Sequence, residues 1–347
     1  MTGEASRPAS RGICLVTGAS GFVGRHLCAQ LRADGVPVRA CVLPKDDAGF
    51  LEGLGAEVVR ADLTDPATLP SLFAGEIDHV FHVGAICNLS TPYRVLRGVN
   101  VDGVERITAL ALEARVRSFV HFSSTSVYGR WAGRPFTEDS AREPADDYGR
   151  SKRDGEDVVW KRIGEGLRAT VLRPCTVYGP GCTDGAGKVF SRPTSIGAIP
   201  GSGRVRLSNV RVEDVAAAAT FLGGREASLG QAYNIADDTH PSIDEALALA
   251  AATFDTPRPR VHVPLFVLGV VARVQGALAA RQGRIPDLET DAVRFLGDDY
   301  LVDNAKLRAT GFRFLYPDFT ESMHELGRRR RGPIEAVIHG GGREAAA

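Results

Sequence analysis

Short apolar runs alternate along the first half of the chain with segments whose apolar residues recur at helical spacing. Ile13-Cys14-Leu15-Val16 is apolar throughout and ends in a glycine-rich turn, after which Phe22 to Ala33 carries apolar side chains with the period of a helix. Further strands are expected at Val36 to Leu43, Glu57 to Val59, Ile77 to Val83, Ser118 to Ser123 and Ala169 to Arg173, with helices at Val99 to Ala114 and Tyr148 to Ile163. Strands that alternate with helices imply an α/β fold with a doubly wound parallel sheet, because each crossover buries its own apolar stripe against one face of the sheet.

After Pro174 the pattern changes. Gly179 to Gly203 is rich in Gly, Pro and Ser, the composition of a connector. Val210 to Leu222 returns to a strand-like start followed by an Ala-rich helix, and Gln231 to Ile235 reads as another strand. From Ala236 onward a smaller helical cap is expected. Pro264 to Ala280 is almost wholly apolar, but Arg273 and Gln275 interrupt it. It falls short of the ~20 residues of a membrane span, so it reads as a core or lid helix.

Composition narrows the classes. In 347 residues, 44% of them hydrophobic, Lys+Arg and Asp+Glu stand equal at 42 each. No global field favours nucleic acid, and a small-molecule substrate is the default. The six cysteines show no Cys-x-x-Cys spacing and read as reduced thiols, not as a metal site. Met1 to Arg11 has no apolar signal-peptide core, so a soluble, cytoplasmic protein without a membrane partner is expected. The run Arg328 to Arg331 reads as part of a solvated tail.

The candidate chemistry lies at strand ends. Gly18, Gly21 and Gly24 follow the first strand and open the first helix, where glycines allow a tight turn and let backbone approach a pyrophosphate, with Ser20, Phe22 and Val23 alongside. An acidic residue closing the second strand would bind the adenosine ribose of NAD, and a basic one would favour the phosphate of NADP. Here the strand ends Cys41-Val42-Leu43-Pro44-Lys45. With no carboxylate in place and Lys45 near, NADP or NAD is expected with a slight lean to NADP. Asp62 either accepts from the adenine amino group or caps the helix that follows, for which Thr64 and Asp65 are equally suited. Tyr148 and Lys152 stand at i and i+4 of one helix, so a hydroxyl and an ammonium share a face. An adjacent cation would lower the pKa of Tyr148 and make it usable for acid/base work, whereas in isolation the spacing far more often describes a surface Tyr and a solvated Lys.

Taken together and in this order, the motifs resemble those of the extended short-chain dehydrogenase/reductase family over about Ile13 to Pro180, with weaker echoes to about Phe319. The glycine motif is Thr17 to Gly24, the adenine-site pair Asp62-Leu63, the nicotinamide-side motif His82-Val83-Gly84-Ala85, and the Asn-Val-x-Gly motif begins at Asn100. The resemblance implies a Rossmann domain over 11–178, to which 205–235 returns, a substrate-binding cap from 179–204 and 236–327, and disordered tails at 1–10 and 328–347. It implies Ser124, Tyr148 and Lys152 as the catalytic set. Ser123, Pro174, Thr176 and Val177 would join the cofactor contacts, and Cys87, Trp131, Thr176 and Tyr178 would face the substrate. It also implies a homodimer built on the Val99 to Ala114 helix and the helix beginning near Tyr148.

Departures from the family's pattern direct the choice of reaction. Thr125 and Ser126 stand where sugar-nucleotide dehydratases carry an Asp-Glu pair, and Leu207 stands where many sugar-nucleotide enzymes place a diphosphate-binding Arg. The apolar Pro264 to Ala280 helix, with Leu268 and Val271 toward the ligand, and the Val38 to Val42 strand look more like hydroxysteroid dehydrogenases and dihydroflavonol reductases. The expected activity is hydride transfer between a ketone and a secondary alcohol. A sugar-nucleotide epimerase is the alternative, and a non-catalytic cofactor sensor a third reading.

Overall fold

The structure, a computed structural model, describes residues 12–131, 133–183, 187–191, 197–281, 293 and 295–329. The expected tail at 1–10 and the Gly- and Ala-rich end from 330 lie outside these residues. Arg328 and Arg329 do not belong to a tail, because the last described helix, Phe319–Arg329, runs through both.

Strands β1 (Ile13–Thr17), β2 (Val38–Val42), β3 (Glu57–Arg60), β4 (Ile77–His82), β5 (Ser118–Phe122) and β6 (Ala169–Pro174) join β10 (Gln231–Ile235) in one seven-stranded sheet. Its order is β10-β6-β5-β4-β1-β2-β3, and every neighbour pair is parallel. Between β7 (Thr176–Tyr178), β8 (Ile199–Pro200) and β9 (Asn209–Arg211) the chain leaves the sheet, with β7 pairing β9. The direction of winding reverses between β1 and β4, so their C-terminal ends open the crevice where ligands bind in such sheets.

Alternate residues of one strand serve opposite faces. Val16 joins Leu27, Leu31, Ala216 and Ala219 under α1 (Phe22–Ala33) and the later helix Val212–Leu222. Its neighbour Leu15 joins Ile107, Ala111 and Val159 on the other face, under α4 (Asp102–Glu113) and α5 (Asp147–Gly164). Each fully buried Leu or Ile of these layers contributes on the order of 1.5–3 kcal/mol.

Two expectations change. The helix foreseen at Val99 to Ala114 is two helices, α3 (Tyr93–Asn100) and α4, separated at Val101. The break falls beside Asn100, whose buried amide is pinned to the backbone of Ile86 on both sides and to Ser151 Oγ at 2.9 Å. A short helix α2 (Gly49–Gly53), absent from the sequence reading, connects β2 to β3. The apolar segment foreseen as a lid is a helix at Leu265–Arg281, attached through the strand His262–Val263 to β8 of the connector.

Candidate active site

The glycines of the first turn are required by close backbone approach. Gly18 has φ +64°, and a Cβ there would lie 2.6 Å from Gly84 Cα, while one on Gly24 would lie 2.1 Å from Gly18 O. Gly21 caps α1 with no side-chain hydrogen bond, and the first turn holds no acidic residue. The N–H groups and the positive end of α1 are thus not used up by a side-chain cap or by a carboxylate of the first turn, which suits a pyrophosphate. Thr17 Oγ1 accepts from Gly84 N–H at 3.1 Å and pairs with His82 Nδ1 at 2.9 Å, tying the glycine turn to the end of β4. Phe22 and Val23 open α1, and Val83 and Leu63 pack beside the turn, with Ala85 partly buried after it.

At the adenosine end the structure reveals what the strand pattern missed. Asp46, in the loop after β2, accepts a hydrogen bond from Ser20 Oγ on the glycine turn. Arg60 holds that loop by donating to the carbonyls of Leu43, Pro44 and Asp46 at 3.2, 3.0 and 3.1 Å. A carboxylate thus stands next to the phosphate loop, delivered by a turn and not by the strand end, while Lys45 is exposed. Asp62 closes its own turn, accepting from the Thr64 N–H and Oγ1 at 2.8 and 2.7 Å, and caps no helix: the next one, Leu69–Phe73, starts from Thr68.

α5 brings the reacting groups together. Asp146 caps it by accepting from Gly149 N–H at 2.7 Å. Gly149 lets the helix lie against the turn after β5, since a Cβ there would stand 2.5 Å from Ser126 O, and Gly155 likewise admits Asn100 O at 2.2 Å from its ideal Cβ. The buried Tyr148 hydroxyl is thereby hydrogen-bonded to Ser124 and to Cys87. Ser124 begins the turn Thr125–Tyr128, and its Oγ accepts from Ser126 N–H at 3.1 Å. One helical turn on, Lys152 donates to Phe122 O at 2.5 Å.

The electrostatics correct one expectation. Burial pushes Tyr148 well above the usual tyrosine range, and Cys87 raises it further against the opposing hydrogen bond with Ser124. Burial lowers Lys152 to about 8, opposed by Cys87 and Glu156. The ammonium is spent on a backbone carbonyl, and burial with Cys87, not the lysine, decides the charge state of Tyr148. What results is a neutral phenol, a proton donor.

Behind this pair lies an ion pair that sequence reasoning passed over. Glu156, fully buried on α5, takes Arg173 of β6 through Nη2 at 2.5 Å and Nε at 3.1 Å, and also accepts from Ser123 Oγ at 2.8 Å and Trp160 Nε1 at 3.0 Å. Burial opposes its ionisation, yet Arg173 holds it below the usual carboxylate range. The signal was available as Glu at i+4 from Lys152, but nothing local said it was buried. His82 and His121 stack beneath Lys152 with ring centroids 5.7 Å apart, and burial followed by the nearby ammonium keeps both neutral.

The expected substrate residues separate. Cys87 is exposed and touches Tyr148, and Pro174, Thr176 and Val177 remain partly buried along the strand that continues from β6. Tyr178 does not face a ligand: it is fully buried against Phe190 and Phe319 and donates to Ser322 Oγ at 2.6 Å. Trp131 packs edge-on to Phe136, 6.0 Å between centroids, in a cluster with Tyr128 and Tyr300. Val271, expected toward the ligand, is solvent-exposed. Among the described residues there is no His, Cys, Asp and Glu group able to hold a metal ion, and no helix long and apolar enough to cross a membrane.

Comparison with known proteins agrees with this geometry. The family model for the NAD dependent epimerase/dehydratase family matches residues 14–236. The chain is 28% identical over 308 residues to the 4-hydroxy-2-methyl-3-oxo-4-farnesyl-3,4-dihydroquinoline-1-oxide ketoreductase of Stigmatella aurantiaca, covering 84% of this chain and 89% of that protein. To the UDP-glucose 4-epimerase of Mycolicibacterium smegmatis it is 32% identical over 273 residues, covering 72% of this chain and 85% of that one. The crystal structure of Thermus thermophilus UDP-glucose 4-epimerase complexed with NAD shares the fold, with TM-score 0.73 at 23% identity over 92% of this chain and 99% of the other.

Proposed function

We propose, from the premise that this chain belongs to the NAD-dependent epimerase/dehydratase family, that it interconverts an apolar ketone and its secondary alcohol. When bound, the nicotinamide cofactor supplies or takes up the hydride. Tyr148 gives its proton to the carbonyl oxygen, being neutral and already paired with Ser124. Ser124 aligns the same oxygen, and Lys152 holds positive charge beside it. Cys87, exposed and in contact with Tyr148, borders the substrate.

The observation that carries this reading over an epimerase is the fate of the arginines. Leu207 occupies the place of a diphosphate clamp, Arg206 is committed to Asp299 at 2.6 Å, and Arg211 is fully buried on Glu213 and Ser322. Arg211 is thus withdrawn from solvent, and a sugar diphosphate would have to displace Asp299 from Arg206. The ketoreductase relative, whose name specifies a farnesyl-bearing ketone, supports an apolar substrate, while the UDP-glucose 4-epimerase relative supports the alternative. Purified protein is expected to oxidise NADH or NADPH in the presence of apolar ketones and to leave UDP-sugars unconverted. Interconversion of UDP-glucose and UDP-galactose with no net redox would replace this reading by the epimerase.

For the cofactor we propose NAD over NADP, reversing the lean suggested by Lys45, because Asp46 presents a carboxylate beside Ser20. A hydrogen bond to a charged acceptor contributes about 1.5–3 kcal/mol, so Asp46→Ala should weaken NADH binding by roughly 10–100-fold and spare NADPH. Fluorescence titration of both cofactors checks this, and a wild type that binds NADPH more tightly refutes it.

We also propose a homodimer through α4 and α5, which pack side by side on one face of the sheet. Light scattering should give about twice the 37.0 kDa of the chain; a monomer mass at micromolar concentration rejects the dimer.

A further inference from the structure

The helix Leu265–Arg281 is apolar except at Arg273, Gln275 and Arg281, yet among the described residues it is fully buried on one side alone. Ala272 is fully buried against the protein. The opposite face exposes Phe266 at 75%, Val270 at 54%, Val274 at 55% and Leu278 at 52%, a stripe at i, i+4, i+8 and i+12, with Val271 beside it. Val261, in the segment leading into the helix, is also exposed. Scattered apolar residues on a surface need no explanation, but a continuous stripe on such a helix marks a face that something covers.

Charge says what covers it. Between residues 265 and 281 there is no Asp or Glu, while Arg273 and Arg281 lie exposed with the stripe and Arg260 precedes it. Among the described residues no carboxylate pairs with any of these arginines. Apolar side chains flanked by unpaired arginines match a bilayer interface with acidic headgroups, in which the aliphatic parts enter the acyl boundary and the guanidinium groups stay at the phosphates.

We propose that this helix is a monotopic docking surface for anionic lipid, with Phe266, Val270, Val274 and Leu278 inserted and Arg260, Arg273 and Arg281 at the headgroups. This departs from the expectation of a chain without a membrane partner. The strand preceding the helix pairs with β8, with Ile199 N–H donating to Val261 O at 2.7 Å, so docking fixes the connector that follows β7 against the lipid surface. The surface stands on its own residues and does not depend on the ketone reading.

Vesicle cosedimentation of the full chain tests it, using phosphatidylcholine alone and phosphatidylcholine with 30% phosphatidylglycerol as a roughly membrane-like acidic content. Binding is expected to the acidic vesicles at low salt and to weaken by about tenfold or more at ~0.5 M salt, where surface charge is screened. Phe266→Ser combined with Val274→Ser should abolish it, and because both side chains are exposed the variant should keep its far-ultraviolet spectrum and its NADH affinity. Arg273→Gln with Arg281→Gln should lower binding to acidic vesicles alone. The proposal is overturned if the wild type ignores both vesicles, if the serine variant binds as well as the wild type, or if uncharged vesicles bind equally. It is also overturned if light scattering shows an oligomer that the serine variant breaks, which would make a second copy the occupant. Ketone turnover measured without vesicles reports separately on the proposed reaction.

Discussion

Tyr148→Phe is expected to lower kcat by about 10²–10⁴-fold while leaving NADH affinity within about a factor of two, since only the proton donor is lost. The ring stays where it is, because it is buried and held by α5 packing against the turn after β5. The hydroxyl is the part that meets Ser124 and Cys87. Since burial keeps that hydroxyl protonated through neutral pH, reduction of the ketone should show no loss of rate near neutrality from ionisation of Tyr148. Steady-state kinetics with a ketone, together with NADH titration of the same variant, provide the check. A variant that keeps more than about a third of the wild-type rate would remove Tyr148 from the reaction. Lys152→Met, by contrast, should damage both rate and cofactor affinity, because it deletes the charge and leaves Phe122 O without its donor.

Glu156→Ala should cost about 3–5 kcal/mol of stability, the range for breaking a buried pair by removing one partner. Arg173 would be left buried with only Tyr128 and the Glu138 carbonyl to receive its donors. Ser123 and Trp160 would lose their acceptor as well. The linkage to pH follows from the lowered pKa of Glu156. Its stabilising contribution is present above the ordinary carboxylate value of 4.5 and is lost as pH falls through the lower folded value. Urea unfolding at neutral and acid pH should therefore show the gap between wild type and Glu156→Ala narrowing on acidification. A loss below about 1 kcal/mol at neutral pH would mean that the pair is not the strut between α5 and β6 described above. Because Ser123 precedes Ser124 and Lys152 lies one turn before Glu156, reduced activity is expected even in the fraction that folds.

What the chain determined by itself was whatever a local pattern can carry. Period alone located β1, α1 and α5, with the observed helix Phe22–Ala33 matching the expected span. Motif order alone placed Ser124, Tyr148, Lys152 and the three glycines in segments that follow strands of one parallel sheet, whose C-terminal ends share an edge. Contacts between distant segments were another matter. Asp46 reaches Ser20 only through the path of a loop after β2, so a search confined to the strand end found no carboxylate. Tyr178 was assigned to the ligand by its place after β6, but the last helix, more than a hundred residues on, packs over it and takes its hydroxyl. The pKa of Tyr148 is not legible in the spacing, which says only that a lysine is close in sequence, whereas burial is a property of every element folded over the hydroxyl. The helix Leu265–Arg281 looked like core or lid from composition, and only the placement of its neighbours left Phe266, Val270, Val274 and Leu278 facing outward. Periodicity and spacing are written along the chain; desolvation and long-range pairing belong to the packed whole, and they decided the charge states and the free surface of this protein.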